Sequence, residues 1–225
     1  MQELDNPIWA SLTSRHEEFA QRAAEVLRYP KEMAPFVAVA SRNAGVAVDL
    51  SRVVEPDERF YLVGPAPTLS SAWEIEKQST VLQMIWAGAV SARATSLEIR
   101  VLSERDSAAM VELTTLAFPG FFRPRTPQMG RYLGIFDADR LVAMAGERMR
   151  TQTHQEISAV CTHPQFTGRG YARSLVNRLI DESLQRGDIP FLHVSESNVH
   201  AKELYERMGF VVRTRLPLRL VRRIA

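Results

Sequence analysis

The stretch Gln165-Phe166-Thr167-Gly168-Arg169-Gly170-Tyr171-Ala172 lies between an apolar segment and a strongly amphipathic one. Two glycines let the backbone approach a ligand closely, and the free N–H groups that open a following helix carry about half a positive charge. A pyrophosphate suits such a place. The helix is read from Ala172, Leu175, Val176, Leu179, Ile180 and Leu184, spaced by three and four, with Arg173, Asn177, Arg178, Asp181 and Glu182 between them. Gly187 can take the left-handed conformation that closes it, so the helix is predicted over Gly170 to Arg186. Two familiar phosphate loops are excluded. The third small residue of a dinucleotide-binding turn falls at Arg173, and no Gly-Lys-Ser or Gly-Lys-Thr occurs. The plainer alternative is a strand-turn-helix junction whose glycines serve sterics alone.

The 225 residues, 45% apolar and 24% charged, supply a core for one or two domains. A formal charge of +2 gives no mandate for a nucleic-acid partner. The single Cys161 excludes an internal disulfide and a cysteine-based zinc cluster, and the five histidines lack metal-ligand spacing, so no metal is expected. The acidic start Met1-Gln2-Glu3-Leu4-Asp5 lacks the apolar core of a signal peptide. The longest apolar stretch, Val81 to Val90, is interrupted by Gln83 and Gly88 and is too short to span a bilayer. A cytoplasmic protein without a membrane partner is expected, and a homodimer is left open.

Ser14 and Glu17 form a capping-box pattern before Phe19, Ala20, Ala23, Ala24, Val26 and Leu27, which predicts a helix as far as Arg28. Short apolar segments at Val37 to Ala40, Val46 to Leu50, Arg59 to Val63 and Thr80 to Ala87 give a first half with strands and few helices. Ala87 to Thr95, rich in Ala, Gly and Ser, is the candidate linker between residues 1–93, an α/β half, and residues 94–225. Beyond it come a strand (Leu97 to Leu102), a helix capped by Ser103 and Asp106, and strands at Tyr132 to Phe136, Leu141 to Arg150 and Glu156 to Thr162. Asp137-Ala138-Asp139 is a hairpin turn. After the glycine loop and its helix follow a strand (Phe191 to Val194), a helix (Val199 to Met208) and a closing pair, Phe210 to Thr214 and Leu218 to Ile224. This order implies a mixed sheet flanked by helices, with the loop at a strand's carboxyl end.

Three separated motifs over about residues 97 to 215 make the chain similar to the GNAT superfamily of acyl-CoA-dependent N-acyltransferases. Gln165-x-x-Gly168-x-Gly170-x-Ala172 resembles that family's pyrophosphate signature, and Asn198-Val199-His200-Ala201-Lys202-Glu203-Leu204-Tyr205-Glu206-Arg207-Met208-Gly209-Phe210 resembles its late helix. Glu156 is the third match. The resemblance implies an α/β (α+β) fold with a GNAT-type mixed, largely antiparallel sheet, and acetyl-CoA as cosubstrate with an amine-bearing acceptor. It also suggests, by analogy with the two-domain glycine N-acyltransferases, that the first half is a degenerate GNAT-like unit.

By the same resemblance, the loop Gln165, Phe166, Thr167, Gly168, Arg169, Gly170, Tyr171 and Ala172 holds the cofactor diphosphate, and backbone groups of Val160, Cys161 and Thr162 pair with pantetheine. A backbone N–H there would polarise the thioester carbonyl. Cys161 as a nucleophile lacks an identifiable activator, and a packed small residue is the alternative. Tyr205 is implied as proton donor to the departing thiolate, against a core tyrosine; Asn198 binds the pantetheine arm, against a simple N-cap, and both roles can coexist. Glu156 occupies the place of the family's general base, with Glu147 or solvent as rivals. A carboxylate of ordinary pKa is poorly matched to an ammonium, so the role requires a raised pKa, a bridging water or a less basic amine. The loop Phe118 to Pro127 falls where the family builds its acceptor wall, or is pinned over the core by its phenylalanines. Arg219, Arg222 and Arg223 read as a solvated or edge-protecting face. Two other readings stay open: a silent acyl-CoA-binding sensor and an O-acyltransferase.

Overall fold

The structure, a computed structural model, describes residues 3–40, 46–88 and 97–224. Its elements are α1 (Pro7–Leu12), β1 (Gln21–Ala23), β2 (Val26–Arg28), β3 (Val37–Val39), α2 (Val46–Val53), β4 (Arg59–Val63), β5 (Trp73–Trp86), β6 (Arg100–Leu102), α3 (Ser107–Ala117), β7 (Tyr132–Asp137), β8 (Arg140–Arg150), β9 (His154–Thr162), α4 (Tyr171–Gln185), β10 (Ile189–Ser195), α5 (Val199–Arg207) and β11 (Phe210–Arg223).

Eight strands form one sheet in the order β4-β11-β5-β10-β9-β8-β7-β6. Every pairing is antiparallel except β9 with β10. The sheet is therefore mixed and largely antiparallel, as the resemblance implied. A smaller sheet, β1-β2-β3, meets its edge through a bridge between Phe36 and Tyr61 and a hydrogen bond from Tyr61 N to Pro35 O of 2.7 Å.

Alternation along the strands assigns the two faces. On one, Leu175, Val176, Leu179 and Ile180 of α4 pack on Val142, Ala145, Ile157, Leu192 and Val194, with Leu82 and Met84 of β5 in the same cluster. Burying each such aliphatic side chain is worth about 1.5–3 kcal/mol. On the other face, Met110 and Leu113 of α3 cover Tyr132, Met144, Ala159 and Cys161. Beside α3, Leu4, Ile8 and Leu12 of the N-terminal segment pack with Tyr29, Phe36, Met149 and Phe191.

The expected linker falls mainly on residues 89–96, outside the described residues. Strands from either side of it share the one sheet, since β5 lies between β10 and β11.

Three expectations are corrected. Residues 14–28 hold a single turn at Glu17–Phe19 and the hairpin β1-β2 instead of a helix. Val26 and Leu27 are buried on opposite faces of β2, and a short strand apolar on both sides is indistinguishable in sequence from a helix face. Val46 to Leu50 belongs to helix α2 and not to a strand. The closing pair is one strand, β11, carried through Pro217 because its carbonyl still accepts from Gly64 N at 2.9 Å.

Candidate active site

The glycine loop follows β9. His163 N is bonded to Val142 O at 2.8 Å, a turn at Pro164–Phe166 is closed by Phe166 N to His163 O at 2.8 Å, and Thr167 Oγ1 donates to Pro164 O at 3.0 Å. The Arg169 guanidinium lies 4.7 Å from the Phe166 ring centre. Gly168 and Gly170 both have φ +78°, a conformation that favours glycine. A Cβ on Gly168 would meet nothing within 4 Å, and one on Gly170 only Arg173 Nη2 at 3.9 Å, so space lies open above both. No side chain caps α4, whose first internal bond is Ser174 N to Gly170 O at 3.0 Å. The N–H groups of Tyr171, Ala172 and Arg173 are thereby left at the helix's positive end. This backbone fits an anionic group such as a diphosphate.

Immediately upstream the sheet splits. Parallel pairing of β9 with β10 covers Ile189↔His154, Pro190↔Gln155 and Phe191↔Glu156 and then stops, whereas Cys161 and Thr162 stay paired with Met144 and Ala143 of β8. Val160, Cys161 and Thr162 thus offer backbone groups on the β10 side. Between Met144↔Cys161 and Gly146↔Ser158 the register shifts. Ala159 sits in that irregularity at φ +53°, an uncommon conformation for a residue with a side chain.

Tyr205 is buried among the α4-face residues and contacts Phe210 edge-on, with ring centres 5.9 Å apart. Burial, and secondarily the nearby Cys161, push its pKa above the usual phenol value, so it stays protonated. Burial also pushes the Cys161 thiol up to about 12, unsuited to a nucleophile. Asn198 caps α5, its side-chain oxygen accepting from Ala201 N at 3.1 Å.

Glu156 is where the structure departs most from expectation. Its side chain has no exposed surface. Arg148 grips both of its oxygens, Nε to Oε2 at 2.8 Å and Nη2 to Oε1 at 2.7 Å, and His193 Nδ1 lies 2.8 Å from Oε1. Burial alone would raise its pKa, but the Arg148 charge and the hydrogen bonds from Arg148 and His193 outweigh it and hold the carboxyl at about 2. A base needs the opposite shift. Glu147 points to the α4 face, bonded to Arg186 and accepting from Arg131 N at 3.2 Å. Both carboxylates are engaged by guanidinium groups.

His193, absent from the sequence reading, extends this network. Its Nε2 lies 3.1 Å from Gln83 Nε2, while Gln83 also donates to Leu4 O at 2.8 Å and accepts from Arg213 Nη1 at 2.8 Å. The Gln83 amide thus faces His193 Nε2, while His193 Nδ1 faces the Glu156 carboxylate. A strand from Phe191 to Val194 includes His193, but nothing in the sequence ties its ring to Glu156.

The aromatic loop is held over the core. Phe121 stacks on Tyr61 at 4.5 Å, Phe122 meets Tyr132 edge-on at 5.6 Å, and Thr126 donates to Met33 O at 2.6 Å. Arg222 pairs with Glu74 at 2.7 Å, and Arg223 donates to Ser51 O at 2.9 Å. A groove of about 290 Å³ between α4 and α5 is lined by Trp86, Arg173, Asn177, Leu204, Arg207 and Met208. A larger cavity, about 490 Å³, lies between α3 and the β7-β8 turn and reaches His163. Among the described residues there is no cluster of three metal-ligating side chains and no helix long and apolar enough to cross a membrane.

The sheet opens beside a bulge and leads to an uncapped helix N-terminus, a shape that fits an extended ligand with an anionic end. The family model for FR47-like proteins matches residues 132–217. A solved structure described as an acetyltransferase from the GNAT family, from Novosphingobium aromaticivorans DSM 12444, superposes with a TM-score of 0.92 at 32% identity, covering 100% of both chains. N-alpha-acetyltransferase RimI of Mycobacterium tuberculosis is 28% identical over 123 residues, 50% of this chain and 77% of that protein. Spermidine N(1)-acetyltransferase of Vibrio cholerae is 42% identical over 50 residues, 21% of this chain and 29% of that protein. The chain belongs to the GNAT superfamily and is an acetyltransferase of that family.

Proposed function

We propose that this chain transfers an acetyl group from acetyl-CoA directly to a primary amine while both are bound. The observation that carries the proposal is the continuous path from the β9-β10 divergence to the open amides of the glycine loop. Acetyl-CoA supplies an activated thioester. In this reading the amides from Gln165 to Ala172 bind its diphosphate, and the backbone of Val160, Cys161 and Thr162 pairs with the pantetheine arm. The side-chain nitrogen of Asn198, whose oxygen serves the cap, reaches the same arm. Proximity in the split sheet supplies much of the rate. Glu156 serves as a fixed charge orienting His193, in place of a base role.

The test is calorimetry with acetyl-CoA, followed by thiol release across an amine panel. Saturable binding with amine-dependent release is expected; binding without release for any amine would leave a sensor, and no binding would end the proposal. Gly168→Ala should cost about 1 kcal/mol of stability, from its left-handed backbone alone, yet weaken acetyl-CoA binding at least tenfold by placing a methyl group where the diphosphate lies. Denaturant melts and calorimetry separate the two effects. Tyr205, a protonated phenol beside Cys161, is assigned to protonate the departing thiolate. Tyr205→Phe should lower kcat about tenfold while sparing acetyl-CoA affinity, since a thiolate leaves tolerably unaided; an unchanged kcat removes it from the mechanism.

A further inference from the structure

Arg123 carries a charge that nothing in the fold answers. The residue is half-buried, its Nε is buried without a hydrogen-bond partner, and its guanidinium enters no ion pair among the described residues. The cations around it are answered: Arg28 Nη1 donates to Glu58 Oε2 at 3.1 Å, Arg59 reaches Glu76 at 2.9 Å and Lys31 reaches Glu55 at 2.8 Å. A cation partly withdrawn from water without a counter-ion destabilises a protein, so its presence calls for an explanation.

There is room for a guest beside it. Arg123 lines a cavity of about 420 Å³ with Lys31, Glu32, Glu58 and Arg59, and Pro35 and Pro124 add stiff apolar surface. That volume suits a small molecule. The walls are fixed before anything binds. Thr126 Oγ1 donates to Met33 O at 2.6 Å and accepts from Arg123 N at 2.8 Å, and Arg125 N donates to Glu32 O at 2.9 Å. These bonds tie the segment that carries Arg123 to the turn after β2 that carries Lys31 and Glu32. The stack of Phe121 on Tyr61 anchors the same segment to β4. Charge and shape then define the guest. Three cations and two carboxylates line the cavity, which leaves one excess positive charge. Both carboxylates oppose a dianion. The planar guanidinium fork matches a carboxylate, which accepts two parallel hydrogen bonds from it.

We propose that this cavity is a binding site for a small monocarboxylate, which supplies the counter-ion that Arg123 lacks. Arg59 begins the edge strand β4, and β11 and β5 separate that strand from β10. The site does not depend on the cofactor reading, and its test needs no acetyl-CoA.

Sodium acetate is the probe. As acetate replaces chloride at constant ionic strength, the melting temperature of the unaltered protein should rise by about 3 °C and then level off, as saturation of one site requires. Arg123→Met should abolish that response. In chloride the same variant should melt at an equal or higher temperature, because an unanswered charge has gone. Arg123→Lys keeps the charge without the fork, and should need several times more acetate for half the rise. No saturable rise in the unaltered protein would overturn the assignment, as would an acetate response retained by Arg123→Met or an acetate midpoint unmoved in Arg123→Lys. A lower melting temperature of Arg123→Met in chloride, or its failure to fold, would show that the guanidinium serves the fold instead. Inorganic phosphate saturating the site at lower concentration than acetate would also overturn it, since the two carboxylates should exclude a dianion.

Discussion

A chain that begins at residue 94 is expected to show no cooperative thermal transition and to accumulate in the insoluble fraction. β5 is the reason. Phe191 to Ser195 of β10 pair with Ile85 to Val81, and β11 pairs with β5 along almost its whole length. Without β5 those two strands are not neighbours, and each presents an unpaired edge. Leu82 and Met84 leave the α4 core, and Leu4, Ile8, Leu12 and Tyr29 uncover Phe191 and Met149 on the other face. Circular dichroism melts of residues 94–225 against the whole chain decide the matter. A sharp melt of the fragment would show that residues 94–225 fold without β5.

The second large effect is expected at Arg148. Replacement by Met leaves the Glu156 carboxylate fully buried without its counter-ion, which typically costs about 3–5 kcal/mol, or roughly 10 °C in a protein of this size. Combining Arg148→Met with Glu156→Gln should recover most of that loss, since no charge then remains to be desolvated. The same network sets acid sensitivity. Glu156 is held at about 2 against an ordinary 4.5, so its contribution, roughly 3 kcal/mol, is complete above pH 4.5 and is lost as pH falls toward 2. Burial depresses His16 from 6.5 to about 4, with its Nδ1 3.0 Å from the Tyr29 hydroxyl. Because the unfolded chain takes up that proton first, stability begins to fall below pH 6.5 and continues to about pH 4. Denaturant midpoints between pH 7 and pH 2 should therefore decline in two stages, and His16→Gln should flatten the first.

Local signals were well recorded in the sequence. Ser103 and Asp106 cap the helix start as expected, with Ser103 N to Asp106 Oδ2 at 2.7 Å. α4 and the turn at Asp137-Ala138-Asp139 lie where spacing put them. These features depend on residues within one turn of each other. The sheet order does not: nothing in Trp73 to Trp86 shows that this strand fits between two that follow more than a hundred residues later. The Arg148–Glu156–His193 contact likewise depends on three strands and an irregular β8-β9 register. Glu156 could be placed by resemblance, but its protonation state follows from the arginine opposite, which only the assembled sheet supplies. The cover of Leu4, Ile8 and Leu12 over Phe191 is a contact between distant parts of the chain that no local pattern announces.

The position of β5 also bears on how the protein is made. It is synthesised well before both of its neighbours, one of which begins at Ile189 while the other ends at Arg223. The nascent chain must carry an apolar segment, Val81 to Trp86, without these partners until β10 and β11 have been made, and ring closures of such span are slow. Completion of the sheet accordingly waits for β11, and the yield of active protein should respond to chaperone supply and to growth temperature.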